Sequence, residues 1–246
     1  MNAPVSRFVI ITAGRTGSTR LRQLLDSHPE IRCHGEVFGE NLSTLAAPGS
    51  KAFEEVQAER AAGPAHFMQS RVFDAGEHRA VGFKVLYEQL LERWPGLFEA
   101  LVADQTIRIV HLVRRNGLKR FMSEYFVGTV THRHSVLRHE PLPDIQPVTI
   151  HVPSLLENLH FLERRKALVR EMFAEHPWHE IGYEDSMDDD SPALDALLDF
   201  LQVPRAPLTV GTRKILPDDL PSLISNLDEV RAALQSTPFR EFLGES

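Results

Sequence analysis

The sequence contains one cysteine, Cys33, and no apolar run near the about 20 residues that a helix needs to cross a bilayer. A single cysteine cannot form a disulfide within the chain, and the first residues lead into an apolar strand pattern without a separate cleavable segment. We therefore expect a cytoplasmic chain without an integral membrane segment. Association with the surface of a membrane stays open.

The sequence also has fewer basic than acidic residues, with 27 Lys and Arg, 34 Asp and Glu, and a formal net charge of −7. A protein that coats nucleic acid needs a basic face to displace counterions from phosphates, so we expect no nucleic-acid partner. Any anion site must be local. The 246 residues show no repeat and no biased tract, which predicts one folded domain over residues 1–246.

Three apolar runs rich in β-branched residues predict strands that are buried on both faces, at residues 7–13, 80–86 and 107–113. Helical patterns follow the first and the third of these runs. Strands that alternate with helices predict an α/β fold with a central, mainly parallel sheet flanked by helices. Three more helices are predicted at residues 153–173, 192–201 and 221–234, and a short edge strand at 179–183.

A glycine turn follows the first strand at once and consists of Gly14, Arg15, Thr16, Gly17, Ser18 and Thr19. The next helix would present unpaired N–H groups and its positive dipole end there. Gly14 and Gly17 would let the backbone approach an anion closely, and Arg15 adds a positive charge. An ordinary turn with Ser18 or Thr19 as helix cap is the alternative. The patterns GxGxxG and GxxxxGK[ST] are both absent.

The second basic motif, HLVRRNGLKRFMSEYF, lies where the third strand passes into a helix. Arg115 at the strand end can bind a phosphate with two hydrogen bonds, and Ser123, eight residues later, would direct a hydroxyl toward the same region. Arg114 is one residue out of register and would face the other way if the strand continued. The alternative is an exposed basic helix start with solvated Lys119 and Arg120.

The two motifs, in this order, resemble those of sulfotransferases that use 3′-phosphoadenosine 5′-phosphosulfate (PAPS), most closely the bacterial branch with nodulation-factor and trehalose sulfotransferases. The resemblance runs from Arg7 to Leu243, although many members have Arg-Asp-Pro where this chain has Arg115-Asn116-Gly117. It implies a three-layer fold like that of P-loop NTPases. It also implies donor-binding residues, namely Gly14, Arg15, Thr16, Gly17, Ser18 and Thr19 for the 5′-phosphosulfate, Arg115 and Ser123 for the 3′-phosphate, and Arg213 and Lys214 in a late loop over the donor.

Sulfuryl transfer needs a base for the acceptor proton and cations for the leaving oxygen. Arg15 is our candidate for the leaving oxygen. The segment CHGEVF offers His34 and Glu36, and relatives with Glu-x-Phe here imply that Glu36 is the base. The alternative is that Glu36 is a surface carboxylate or a salt-bridge partner of a loop arginine. Lys84 either faces the active site or is a lysine of an edge strand.

The 12 histidines predict no metal site, because His132, His134 and His139 lack metal-ligand spacing with carboxylates. We expect PAPS as the co-substrate, 3′,5′-adenosine bisphosphate (PAP) as the product, and a carbohydrate, a glycolipid or another small alcohol as the acceptor. Residues 39–70 and 127–153 are expected to shape the acceptor pocket. A homodimer stays open. The alternatives are a nucleotide-binding protein without catalysis and a divergent P-loop kinase, which would need Mg²⁺ and a carboxylate after a second strand.

Overall fold

The computed structural model describes residues 4–40, 42–131, 136–137, 140–141, 145–189, 191–213 and 221–243. The chain divides into two compact units. The sheet unit consists of Met1–Val113 and Val169–Val210, and the helical unit of Arg114–Leu168 and Gly211–Ser246. The single domain over residues 1–246 stays a prediction.

The strands of the described residues are β1 (Ser6–Thr12), β2 (Ile31–His34), β3 (Ala80–Leu86), β4 (Arg108–Val113), β5 (Val136–Leu137), β6 (Trp178–Gly182) and β7 (Thr212–Arg213). Five of these strands form the sheet of the sheet unit, in the order β2-β3-β1-β4-β6, and every neighbouring pair is parallel. This arrangement confirms the predicted α/β fold with a parallel sheet. In the helical unit, β5 and β7 pair antiparallel.

The α-helices of the described residues are α1 (Ser18–Asp26), α2 (Lys51–Ala61), α3 (Pro64–Phe67), α4 (Leu97–Val102), α5 (Gly117–Phe126), α6 (Val152–Met172), α7 (Pro192–Phe200) and α8 (Leu227–Gln235). Short π-helical segments occur at Met68–Val72, Gln89–Arg93 and Val127–Thr131. Short 3₁₀ turns occur at Glu184–Ser186, Pro221–Leu223 and Arg240–Leu243. No helix among the described residues has the length and apolar character that a membrane span requires.

The centre of the sheet unit is β1, whose residues Phe8 to Ile11 are fully buried between β3 and β4. Helix α1 packs on the sheet through Leu21, Leu24 and Leu25, the three leucines at helical spacing. Burying each of these side chains contributes about 2 kcal/mol. Because α1 is fixed on the sheet in this way, its amino terminus stays beside the end of β1.

The observed elements differ from the predicted ones in three respects. The four-residue strand β2 was not predicted, because the run IRCH contains an exposed arginine and is too short to show a period. Helix α8 begins at Leu227 instead of residue 221, since Pro221–Leu223 forms a separate 3₁₀ turn. Strand β3 lies between β2 and β1, so the interpretation of Lys84 as an edge-strand lysine is wrong. The edge strand expected at 179–183 is confirmed by β6.

The helical unit has its own apolar core, in which α5, α6 and α8 contribute Leu118, Met122, Phe126, Leu155, Leu159, Val230 and Leu234. Asn116 caps α5: its Oδ1 accepts from the Lys119 N–H at 2.9 Å, and its Nδ2 donates to the Phe242 carbonyl at 2.9 Å. Gly117 allows close packing, because a Cβ there would lie 2.6 Å from a methyl of Leu159. The segment that carries the second basic motif is therefore held by a cap and a core contact.

Candidate active site

The glycine turn places two residues in the left-handed region between β1 and α1. Arg15 has φ 67° and Gly17 has φ 78°. A left-handed residue other than glycine is uncommon and costs free energy, and such strain is concentrated at functional sites. Gly17 is the N-cap of α1, and no side-chain cap bond is found at this helix start within the described part of the chain. The helix amino terminus is thus built from backbone, which suits an anion site.

Gly17 is required for a second reason. The ring of Tyr183, which follows β6, lies directly against it, and a Cβ at position 17 would overlap Cδ2 and Cε2 of that ring. The Tyr183 N–H donates to the Val113 carbonyl at 2.7 Å, which fixes the tyrosine backbone to the end of β4. A side chain at position 17 would therefore have to displace a ring whose backbone is fixed.

The hydroxyl of Thr16 faces the interior of the sheet unit. Its Oγ1 lies 2.5 Å from Thr12 Oγ1 and 2.8 Å from the Ala13 carbonyl oxygen, while Thr12 Oγ1 lies 2.7 Å from the Leu112 carbonyl oxygen. Thr16 is buried, so only its main chain is left to serve an anion. Thr19 is exposed at the surface, and Arg15 is half-buried.

Glu36 and the glycine turn are joined through Lys84 of β3. Lys84 Nζ lies 2.8 Å from Glu36 Oε1 and 3.4 Å from Thr19 Oγ1. The Lys84 side chain is 6% exposed, whereas 32% of the Glu36 side chain is exposed, so the carboxylate reaches solvent while the ammonium does not. The structure therefore brings Thr19, Lys84 and Glu36 together in one cluster.

A fourth member of this cluster, Gln89, was not found from the sequence. Its Nε2 donates to Glu36 Oε2 at 2.9 Å. Gln89 lies in the π-helical segment just after β3, where no α-helical or strand period marks it out. No signal in the sequence pairs it with a carboxylate 53 residues earlier.

The turn that carries Glu36 is fixed from its other side. Arg60 of α2 donates to the carbonyls of Val37 and Gly39 at 3.1 and 2.6 Å. Its guanidinium also lies 5.0 Å from the centroid of the Trp94 ring, a cation–π contact. Trp94 Nε1 in turn donates to the Phe38 carbonyl at 2.6 Å. Three of the carbonyls that follow Glu36 are thus bonded to side chains of other elements.

His34, the alternative base, ends β2 and is buried. Burial, with a contribution from the nearby charge of Arg32, lowers the pKa of His34 to about 4. Its Nε2 is also buried and makes no hydrogen bond among the described residues. A buried imidazole with this pKa is a weak base near neutrality, so the geometry favours Glu36.

In the helical unit, Arg114 is buried and Arg115 is exposed. This difference agrees with the opposite facing expected of adjacent residues at a strand end. Ser123 is half-buried on α5. Arg120 is buried and bonds Asn158 and Glu124 at 2.8 and 2.7 Å, so the alternative with a solvated Arg120 is wrong.

Of the other predicted site residues, Arg213 is described only through the pairing of β7 with β5. Lys214 lies outside the described residues, as do His132, His134 and His139. Within the ranges that the structure describes, no group of three or more His, Cys, Asp or Glu side chains is arranged to hold a metal ion.

Comparison with known proteins gives a sequence-family match, a curated relative and solved structures of similar fold. Residues 7–96 match the sequence model described as "Sulfotransferase family". The chain is 24% identical over 243 residues to Nodulation protein H of Rhizobium meliloti (strain 1021), a match that covers 97% of this chain and 95% of the relative. The crystal structure of a sulfotransferase from Alicyclobacillus acidocaldarius is similar in fold, with a TM-score of 0.51, 18% identity, and coverage of 96% of this chain and 95% of that chain.

The stretch that matches the family model includes the glycine turn, Glu36, Lys84 and Gln89. The likeness to the solved structure extends over almost the whole chain and confirms the predicted P-loop-like fold.

Proposed function

We propose that the chain is a sulfotransferase of the nodulation-type branch and that it transfers the sulfuryl group of PAPS to a hydroxyl of an acceptor. The observation that carries the proposal is the cluster in which Lys84 contacts both Glu36 and Thr19. A carboxylate and a cation next to a helix amino terminus are groups that sulfuryl transfer uses, as base and as charge stabiliser.

For the donor, we propose that the main chain from Gly14 to Thr19 binds the 5′-phosphosulfate. Two observations support this assignment: the backbone is left-handed at Arg15 and Gly17, and α1 begins without a side-chain cap bond at Gly17. Arg115, which is exposed at the start of α5, and Ser123 are proposed to bind the 3′-phosphate. Arg213 and Lys214 are proposed to cover the donor.

In the proposed reaction, Glu36 takes the proton of the acceptor hydroxyl while the oxygen attacks sulfur. The bond between sulfur and the 5′-phosphate oxygen breaks, so that PAP leaves and the product is a sulfate ester. Arg15 and Lys84 stabilise the negative charge that develops on the leaving oxygen. The 2.8 Å contact with Lys84 also favours the ionised form of Glu36 that the step requires. No metal ion takes part in this step.

The acceptor is proposed to be a carbohydrate, a glycolipid or another small alcohol, in keeping with the likeness to Nodulation protein H. The part of Glu36 that is exposed to solvent, 32% of its side chain, leaves the carboxylate accessible to a hydroxyl. We propose that the reaction takes place in the cytoplasm.

The proposal is tested by incubating the protein with ³⁵S-labelled PAPS, EDTA and a panel of sugars, glycolipids and small alcohols. We expect label in at least one acceptor class. Glu36→Gln should lower kcat at least about 100-fold, because it removes the base, and should leave the Kd of PAP unchanged.

The matched control is Glu99→Gln, the same change at an exposed carboxylate of α4, outside the ranges expected to shape the acceptor pocket. It should retain full activity. If Glu36→Gln transfers sulfate as fast as the wild-type protein, the assignment of Glu36 as base is wrong.

A further inference from the structure

Gln89 joins the end of β3 to the carboxylate of Glu36. The residue is 4% exposed and begins the π-helical segment Gln89–Arg93. Its Oε1 accepts from the Leu86 N–H at 3.0 Å, and its Nε2 donates to Glu36 Oε2 at 2.9 Å. A buried amide thus links a strand end to the carboxylate that we propose as the base.

The orientation of this amide is fixed by chemistry. A backbone N–H can only donate, so the group that faces Leu86 must be the amide oxygen. The NH₂ group then faces Glu36, and an ionised carboxylate can only accept. Both ends of the side chain form a hydrogen bond in this orientation. If the amide were flipped, its NH₂ group would face the Leu86 N–H and its oxygen would face the Glu36 carboxylate, and both hydrogen bonds would be lost.

The two oxygens of Glu36 are held by different means. Lys84 reaches Oε1 with a long four-carbon side chain, whose charge can follow a displaced partner. Gln89 reaches Oε2 from a shorter side chain that the Leu86 N–H anchors.

Gly39 leaves the space that this arrangement needs. A Cβ at position 39 would lie 3.1 Å from Gln89 Nε2, 3.1 Å from Glu36 Cβ and 3.0 Å from the Glu36 carbonyl oxygen. These distances are tighter than ordinary van der Waals contact, and the Gly39 N–H itself donates to that carbonyl at 2.7 Å. The amide and the carboxylate therefore meet at a place where any side chain on residue 39 would press on both.

We propose that Gln89 is a positioning residue for sulfuryl transfer: it fixes the direction of the Glu36 carboxylate toward the acceptor hydroxyl and holds the carboxylate in its ionised form. The inference rests on the proposed function, because it assumes that Glu36 is the base. Gln89 is assigned no contact with the donor or the acceptor.

The test uses Gln89→Leu and Gln89→Glu, assayed for kcat, for KM with PAPS, for the Kd of PAP and for the pH dependence of kcat. Gln89→Leu should lower kcat about 10- to 100-fold, because a misplacement of the base by about 1 Å has effects of this size. The Kd of PAP should stay within about twofold of the wild-type value. The acid limb of the profile should move to higher pH, because the donor that stabilised the carboxylate is gone.

Gln89→Glu tests whether the side chain at position 89 faces the base. A glutamate at position 89 can still accept from the Leu86 N–H but presents a second carboxylate to Glu36. The acid limb should therefore move further upward than in Gln89→Leu, which shows that position 89 faces the base; the shift in Gln89→Leu, which adds no charge, is the one that a residue stabilising only the turn would not produce. Gln105→Leu, the same change at an exposed position between α4 and β4, should behave like the wild-type protein in every assay.

The outcomes are distinct. If the wild-type protein transfers sulfate and both Gln89 variants keep its kcat and its acid limb, the positioning role is wrong. If the variants lose affinity for PAP, Gln89 acts on the donor and the role is equally wrong. If the wild-type protein neither binds PAP nor transfers sulfate, the proposed function itself fails. Should Gln89→Leu not fold, Gln89→Glu gives the same pH readout.

Discussion

Neighbouring residues of the glycine turn have different roles, although the sequence places them all in one motif. Gly17 satisfies a left-handed backbone and a contact with Tyr183 at once. Thr16 uses its hydroxyl inside the sheet unit, although it stands within a motif that is proposed to bind an anion. A sequence motif thus predicts an anion site, but it does not separate residues that would contact the ligand from residues that support the loop.

The two demands on Gly17 can be measured separately. Gly17→Ala should lower the free energy of unfolding by about 2–5 kcal/mol, of which about 1–2 kcal/mol comes from the left-handed backbone and the rest from overlap with the tyrosine ring. Gly96→Ala is the matched control, because Gly96 is also the left-handed N-cap of a helix, α4, at φ 82°, and an added Cβ there meets nothing within 4 Å. It should cost about 1–2 kcal/mol. Equal losses in urea unfolding would show that the contact with Tyr183 is unimportant.

At the scale of elements, a chain of polar side chains that begins in the core and ends at the surface links β4 to the edge strand β6. His111 of β4 is fully buried, with Nε2 2.7 Å from Tyr87 Oη and Nδ1 2.9 Å from Glu180 Oε2. Glu180 also accepts two bonds from Arg170, each at 2.8 Å. The hydrogen bonds from His111 and Arg170 lower the pKa of Glu180 to about 2.

This pKa gives the stability a defined dependence on pH. The pKa of Glu180 is lower in the folded state than its ordinary value of 4.5, so its contribution is complete above about pH 4.5 and is lost as the pH falls toward 2. Glu180→Gln should therefore be less stable than the wild-type protein at pH 7, and the difference should shrink as the pH falls from 4.5 to 2. Urea unfolding at a series of pH values measures it, and a difference that stays constant over this window would contradict the assignment.

The sequence predicts the long strands and helices but not the short strand β2. The strands β1, β3 and β4 and the helices α1, α6 and α7 have long periodic or apolar runs, and these runs reveal them. Strand β2 is held by its register with β3, in which Ile31 pairs with Ala80, and such a distant pairing leaves no mark on four residues of sequence. The environment of Lys84 follows from the same pairing, because it depends on a carboxylate 48 residues earlier in the chain.

At the scale of the whole molecule, the order of two motifs in the chain predicted a likeness to sulfotransferases, which the match of residues 7–96 and the similarity to Nodulation protein H support. The glycine turn belongs to the sheet unit and Arg115 to the helical unit, and each has the local features that a phosphate-binding segment needs. The resemblance predicted Glu36 as base, and the structure adds the residues that hold it, Lys84 and Gln89. Lys84 is already a candidate from the sequence, whereas Gln89 could not be predicted, because its pairing with Glu36 arises only when the turn after β2 folds against the end of β3.

The most direct measurement is the binding of PAP by isothermal titration calorimetry in the presence of EDTA. We expect saturable binding to the wild-type protein, with affinity lowered about 10- to 100-fold by either Arg15→Ala or Arg115→Ala, because a hydrogen bond to a charged group contributes about 1.5–3 kcal/mol. AMP, which lacks the 3′-phosphate, should bind more weakly than PAP, and Arg115→Ala should abolish that difference. If the folded wild-type protein does not bind PAP, or if both arginine variants bind it as the wild-type protein does, the donor site is not the one described.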